Sequence, residues 1–138
     1  MKRILVGLVG CMVLFGVGGG MVVEHGVSAQ AADKQVEVLM RGKLENAKQI
    51  LEGLALQDFD KIGRNAQQLS LLSRDAGWHV VQTPEYVQMS AEFRELAEDM
   101  MKSARQKNLD GATLSYVGMT LKCVQCHKYV RSVNSSDK

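Results

Sequence analysis

Apolar residues recur along the chain in steps of three and four. Val36, Leu39, Met40, Leu44, Ala47, Ile50, Leu51 and Leu54 follow the spacing of one buried helical face. Lys43, Glu45, Lys48, Gln49 and Glu52 fall on the other side. Asp33 is placed to cap this first helix and Gln57-Asp58 to break it. A second stripe, Ile62, Ala66, Leu69, Leu72, Ser73 and Ala76, opens at Asp58 or Asp60 and closes at Gly77, a residue suited to a helix C-terminus. Thr83-Pro84 is a third helix start, a capping hydroxyl followed by proline at the first helical position, with Glu85 adding first-turn negative charge. Tyr86, Met89, Phe93, Leu96, Ala97, Met100, Met101 and Ala104 make its stripe and Asn108 its stop. Asp110 caps a fourth helix, in which Leu114, Val117, Gly118, Leu121 and Val124 carry the apolar pattern forward, with Val130 beyond. Residues from Ser132 to Lys138 form a polar tail.

No segment alternates with period two, and there is no internal repeat. Four helices of about 18 to 25 residues with short connections predict an all-α domain, an antiparallel four-helix bundle. Composition agrees: 138 residues suffice for one domain, 46% are hydrophobic and 23% charged, aromatics are 5%, and Pro84 is the only proline.

The N-terminal stretch reads as something other than fold. Lys2 and Arg3 precede an apolar, glycine-rich run from Ile4 to Val23, and Ala29-Gln30-Ala31 is a small-x-small cleavage site, with Val27-Ser28-Ala29 as a second. The expectation is a signal peptide over residues 1–31 and a mature domain over 32–138. Uncleaved, the run is long enough to anchor the chain in the inner membrane. Leu8-Val9-Gly10-Cys11 resembles a lipoprotein box, but more apolar sequence follows it, and Cys11 otherwise leaves with the signal. Losing Lys2, Arg3 and Glu24 takes 17 basic and 15 acidic residues to 15 and 14, so the mature chain is nearly neutral and nothing in it suits nucleic acid.

The strongest chemical signal is Cys123-Val124-Gln125-Cys126-His127. Cys-x-x-Cys-His is the attachment signature of a c-type haem. Residues i and i+3 lie about one helical turn apart, so two thiols reach two vinyl groups of one porphyrin and the adjacent imidazole becomes the proximal iron ligand. A thioredoxin-like pair needs a βαβ setting, which this sequence lacks. A structural zinc needs four ligands, and the mature chain offers only Cys123, Cys126, His127 and His79, two of them neighbours. Export and haem support each other, because thioether attachment needs reduced cysteines and haem on the outer side of the bacterial inner membrane; the two mature cysteines are then both used and none remains for a disulfide. The chain runs 11 residues past His127 without a methionine, so a sixth ligand must come from upstream.

In these features the chain, from about Val36 to Arg131, resembles the cytochrome c-prime group of four-helix c-type cytochromes. The carriers are the haem run on the final helix, Arg131 four residues after the ligand, Trp78, Ser90-Ala91-Glu92-Phe93 and Leu39-Met40-Arg41. One departure is visible: where the group has an aromatic three residues after the ligand, Val130 stands, with Tyr129 one place earlier. The resemblance implies that the first helix covers the distal face, so that Met40, or an apolar cover such as Leu44, sits over the iron. Placing Arg41 on the group's early arginine would instead bring Glu45 there, at the expense of the apolar stripe. The resemblance also implies that Arg41 pairs with a haem propionate, that Arg131 lies near the proximal histidine, and that two copies pair through their first two helices. Met40 and Arg41 have plainer readings too, as core filling and as a solvated helix charge. His79 is a second candidate axial ligand. Met89, Met100 and Met101 read as core, and Met119, one turn before Cys123, as packing beside the haem.

Two functions compete. One is an exported, periplasmic electron carrier that docks on redox partner proteins. The other is a five-coordinate haem protein that binds nitric oxide or carbon monoxide. An enzyme is disfavoured, because no distal His–Arg pair or acid–base set is present.

Overall fold

The computed structural model describes residues 29–75 and 81–136, all in helices and short connections. Residues 1–28, which hold most of the segment expected to be a signal together with Cys11, and Ala76, Gly77, Trp78 and His79 lie outside the described residues, while residues 29–31 of that segment open α1. The helices are α1 (Ala29–Leu56), α2 (Phe59–Leu72), α3 (Pro84–Arg105) and α4 (Leu109–Ser136). They are less even than predicted, with 28 residues in α1 and α4 and only 14 in α2. Among the described residues no helix is long and apolar enough to cross a membrane.

Two of the connections are the same device. At the end of α1, Gln57 takes φ 56, Asp58 N–H donates to Gly53 O (2.8 Å) and Gln57 N–H to Leu54 O (3.3 Å). At the end of α3, Lys107 takes φ 54, Asn108 N–H donates to Ser103 O (2.9 Å) and Lys107 N–H to Ala104 O (3.0 Å). Each is a Schellman closure with a non-glycine residue in the left-handed position. The residue after that position then caps the next helix. Asp58 Oδ1 accepts from Lys61 N (2.9 Å), and Asn108 Oδ1 from Gly111 N (2.9 Å). One residue therefore ends one helix through its backbone N–H and starts the next through its side chain. Gly53 permits the first of these turns to close, because a Cβ there would lie 2.9 Å from Ile62 Cγ1.

Several expected boundaries shift accordingly. Asn108, not Asp110, caps α4, and Asp110 sits in its first turn. Asp33 lies inside α1, which is already helical at Ala29, so it caps nothing. Helix α2 stops at Leu72 with Ser73 as its cap, short of Gly77. Thr83 behaves as expected: its hydroxyl accepts from Tyr86 N (3.3 Å) ahead of Pro84.

Sequence neighbours pack on one another, α1 on α2, α2 on α3 and α3 on α4, while α1 meets α4 only sparsely. The core is Leu39, Ile50, Leu54, Ile62, Ala66, Leu69, Tyr86, Phe93, Ala97, Met100, Ala104, Ala112 and Met119, mostly the predicted stripes. Ser70, Ser73 and Ser90 are buried with them. The Ser73 hydroxyl donates to Ser70 O and the Ser90 hydroxyl to Tyr86 O. Among the described residues no buried side-chain polar atom lacks a partner, which is what a settled core requires.

Helix α4 departs from its predicted face. Ala112, Ser115 and Met119 point inward, followed by half-buried Cys123 and Cys126. Leu114, Val117, Leu121 and Val124 point to solvent. A helix with apolar residues on two opposite sides has two candidate inner faces, and packing against α3 selects the one with the small residues.

Candidate cofactor site

The sparse α1–α4 contact leaves a cavity of about 610 Å³. That volume is within the range of sites that enclose a whole organic cofactor, about 300–1,000 Å³. Helix α4 supplies Met119, Lys122, Cys123, Cys126, His127 and Val130 to its wall. Helix α1 faces them with Val36, Met40, Lys43 and Ala47, at steps of four, three and four, while Glu37, Arg41 and Leu44 stand beside that row. Leu69, Tyr86 and Phe93 close the interior side.

Both cysteines are free and half-buried. Burial pushes each thiol up from its usual value, with Lys43 opposing the rise. Thiols held protonated in this way are poor nucleophiles at neutral pH, unlike a disulfide-exchange pair, whose attacking thiol has a lowered pKa. Among the described residues no group of three or more His, Cys, Asp or Glu converges as a metal cluster. What the wall does have is two thiols one turn apart, an imidazole beside them and a mainly apolar lining. That set fits a porphyrin held by two thioethers.

The α1 side holds a residue that periodicity alone placed elsewhere. Lys43, assigned to the polar face by its charge, points into the cavity. Its Nζ donates to Met40 Sδ (3.6 Å) and lies 5.1 Å from the centre of the Phe93 ring. Burial lowers its pKa to about 7, with the neighbouring Cys123 and Cys126 opposing the fall. The signal was present in the spacing, since 36, 40, 43 and 47 are one helical row, but residue type hid it. Burial also raises the Tyr86 phenol to about 12.

The remaining site residues divide. Met40 is half-buried and faces the cysteines across the cavity. Leu44 lies on the rim, 59% exposed. Arg41 touches the rim but turns outward onto Glu37 (2.8 Å), with 78% of its side chain exposed. Glu45 takes no part in the lining and instead meets Lys48 and Gln49. Arg131 is exposed and outside the cavity; its carbonyl accepts from the Ser135 hydroxyl. On the α4 side, Lys122 pairs with Glu92 of α3, which holds the Glu92 carboxyl below its usual range. Tyr129 donates to Thr83 Oγ1 (2.7 Å), tying the stretch after His127 to the start of α3, while Val130 fills the wall.

No protein-family model, no curated protein and no solved structure matches this chain.

Proposed function

We propose that this chain is an exported c-type cytochrome of the c-prime kind, an electron carrier with one covalent haem on the last helix of an antiparallel four-helix bundle. The observation that carries the reading is the meeting of Cys123, Cys126, His127 and Met40 on one mainly apolar cavity. The bond from Tyr129 to Thr83 supports the antiparallel order, because it sets the late part of α4 against the start of α3.

When bound, haem supplies a one-electron Fe(III)/Fe(II) couple. Cys123 and Cys126 hold its edge through two thioether links. His127 on α4 would supply an imidazole nitrogen to hold the iron. Met40 on α1 would offer a thioether, and methionine ligation would raise the potential. Val36, Ala47, Phe93 and Met119 exclude water, which disfavours the more highly charged oxidised centre. Lys122, held by Glu92, steadies the α4 wall against α3.

A second reading has one observation in its favour. Met40 Sδ already accepts a hydrogen bond from Lys43. If the thioether stayed on the amine, Met40 would not be free to hold the cofactor, and the apolar cavity wall with Val36 and Ala47 would suit a small gas such as nitric oxide or carbon monoxide.

Optical and electron paramagnetic resonance spectra of the purified protein, oxidised and reduced, test both. A low-spin ferric signal with the long-wavelength charge-transfer band of a methionine–iron bond is the expected result. A high-spin, five-coordinate signal moves the function to gas binding, and a colourless protein ends the cytochrome reading. In the same preparation, pigment should survive acid-acetone extraction, and Cys123→Ala/Cys126→Ala should release it.

A further inference from the structure

Helix α4 has an apolar side that the fold leaves uncovered. Leu114, Val117, Leu121 and Val124 are 73%, 51%, 57% and 48% exposed. At 100° per residue they share a sector about 80° wide, opposite the inward row of Ala112, Ser115 and Met119. Single exposed apolar residues are ordinary, but a contiguous stripe marks a contact surface.

We propose that this stripe is where two copies of the chain meet, α4 against α4 in antiparallel, two-fold fashion. The charges at its ends identify the occupant. Asp110 stands one turn before Leu114, and Lys128 one turn after Val124, both exposed. A two-fold axis beside residue 119 sets Leu114 against Val124 of the second copy and Val117 against Leu121. The same axis sets Asp110 against Lys128 at both ends. An isologous interface must be complementary to itself, and this pattern is. A parallel pairing would oppose Asp110 to Asp110 and Lys128 to Lys128, so charge selects the antiparallel register.

From Asp110 to Lys128 the contact runs about 27 Å. One helix pair buries less than the roughly 800 Å² per partner of a stable standard interface. The dimer is therefore concentration-dependent. It does not depend on the cofactor reading. It also differs from pairing through the first two helices, for which Leu51 of α1, 55% exposed, is the corresponding outer residue.

Sedimentation velocity over a wide concentration range tests it, on the protein as purified with its native cofactor content. The unsubstituted protein should show a monomer–dimer equilibrium. Leu121→Glu should weaken association at least tenfold while leaving the circular dichroism spectrum unchanged. Asp110→Lys alone and Lys128→Asp alone should each weaken it severalfold, more at low salt. The two together should restore it, because the exchanged charges again face their opposites. A protein monomeric at every concentration overturns the proposal. So does a dimer that tolerates Leu121→Glu and is lost with Leu51→Glu. A dimer lost with Leu121→Glu that ignores both charge reversals overturns the antiparallel register.

Discussion

Met40 and Lys43 put a thioether and an amine 3.6 Å apart on the side of the cavity facing the cysteines. Under the proposed function the Met40 sulfur would exchange the amine for the iron, and Met40→Leu should convert a low-spin centre to a high-spin one, read by paramagnetic resonance. Lys43 also carries a stability term with a definite sign. Its folded pKa, about 7, lies below the ordinary 10.5, so the unfolded chain binds more protons at intermediate pH and stability rises with pH there. In the cofactor-free chain, denaturant unfolding should show the unsubstituted protein gaining on Lys43→Met from about pH 7 towards pH 9. A difference flat with pH would mean that the amine is not buried. The cysteines and His127 were legible because their chemistry lies within one helical turn. Lys43 was not, because a charged residue is ordinarily assigned to solvent and only the opposing α4 wall makes its position interior.

The element scale is governed by the twin turns. Gln57 and Lys107 occupy left-handed backbone without being glycine, which costs about 1 kcal/mol each. Gln57→Gly should therefore raise stability by roughly 0.5 kcal/mol, the gain being reduced by glycine's larger unfolded-state entropy. Calorimetry would register it as a Tm rise of a few degrees. Asn108→Ala removes the cap of α4 and should cost about 1 kcal/mol by the same measurement. Asp110→Ala, which loses only a first-turn charge, should cost less. Had Asp110 been the cap, the two costs would be reversed. Thr83-Pro84 was readable in advance because the cap and the proline act on the backbone beside them. The choice of Asn108 over Asp110 depended on Lys107 turning left-handed, and neither residue type announces that.

At the scale of the whole molecule, α1 is joined to α2 by packing but to α4 mainly across the cavity. A cofactor bound there would be the chief contact between the first helix and the last. Cys123→Ala/Cys126→Ala protein should thus unfold at a lower temperature, and amide exchange should quicken first in α1 around Val36 to Ala47, while α2 and α3 stay protected. Uniform loss of protection would mean that the cavity is not what binds α1. Core truncation away from the cavity makes the contrast: Ile62→Ala, fully buried between helices, should cost about 2–5 kcal/mol with or without cofactor.

The amino-acid sequence by itself determined the four helices, the start of α3 and the spacing of Cys123, Cys126 and His127, because each depends on neighbours within a turn or two. It determined the inner faces of α1, α2 and α3 nearly as well, since each has one dominant apolar stripe. Only the tertiary structure decided which side of α4 faces inward. Leu114, Val117, Leu121 and Val124 are the more hydrophobic set, yet Ala112, Ser115 and Met119 fit against α3, with Gly118 leaving room for Leu96. Likewise the fold places Lys43 on the cavity wall and pairs Arg41 outward with Glu37. Periodicity defines a helical face, but the space beside a neighbouring helix determines which face can enter it.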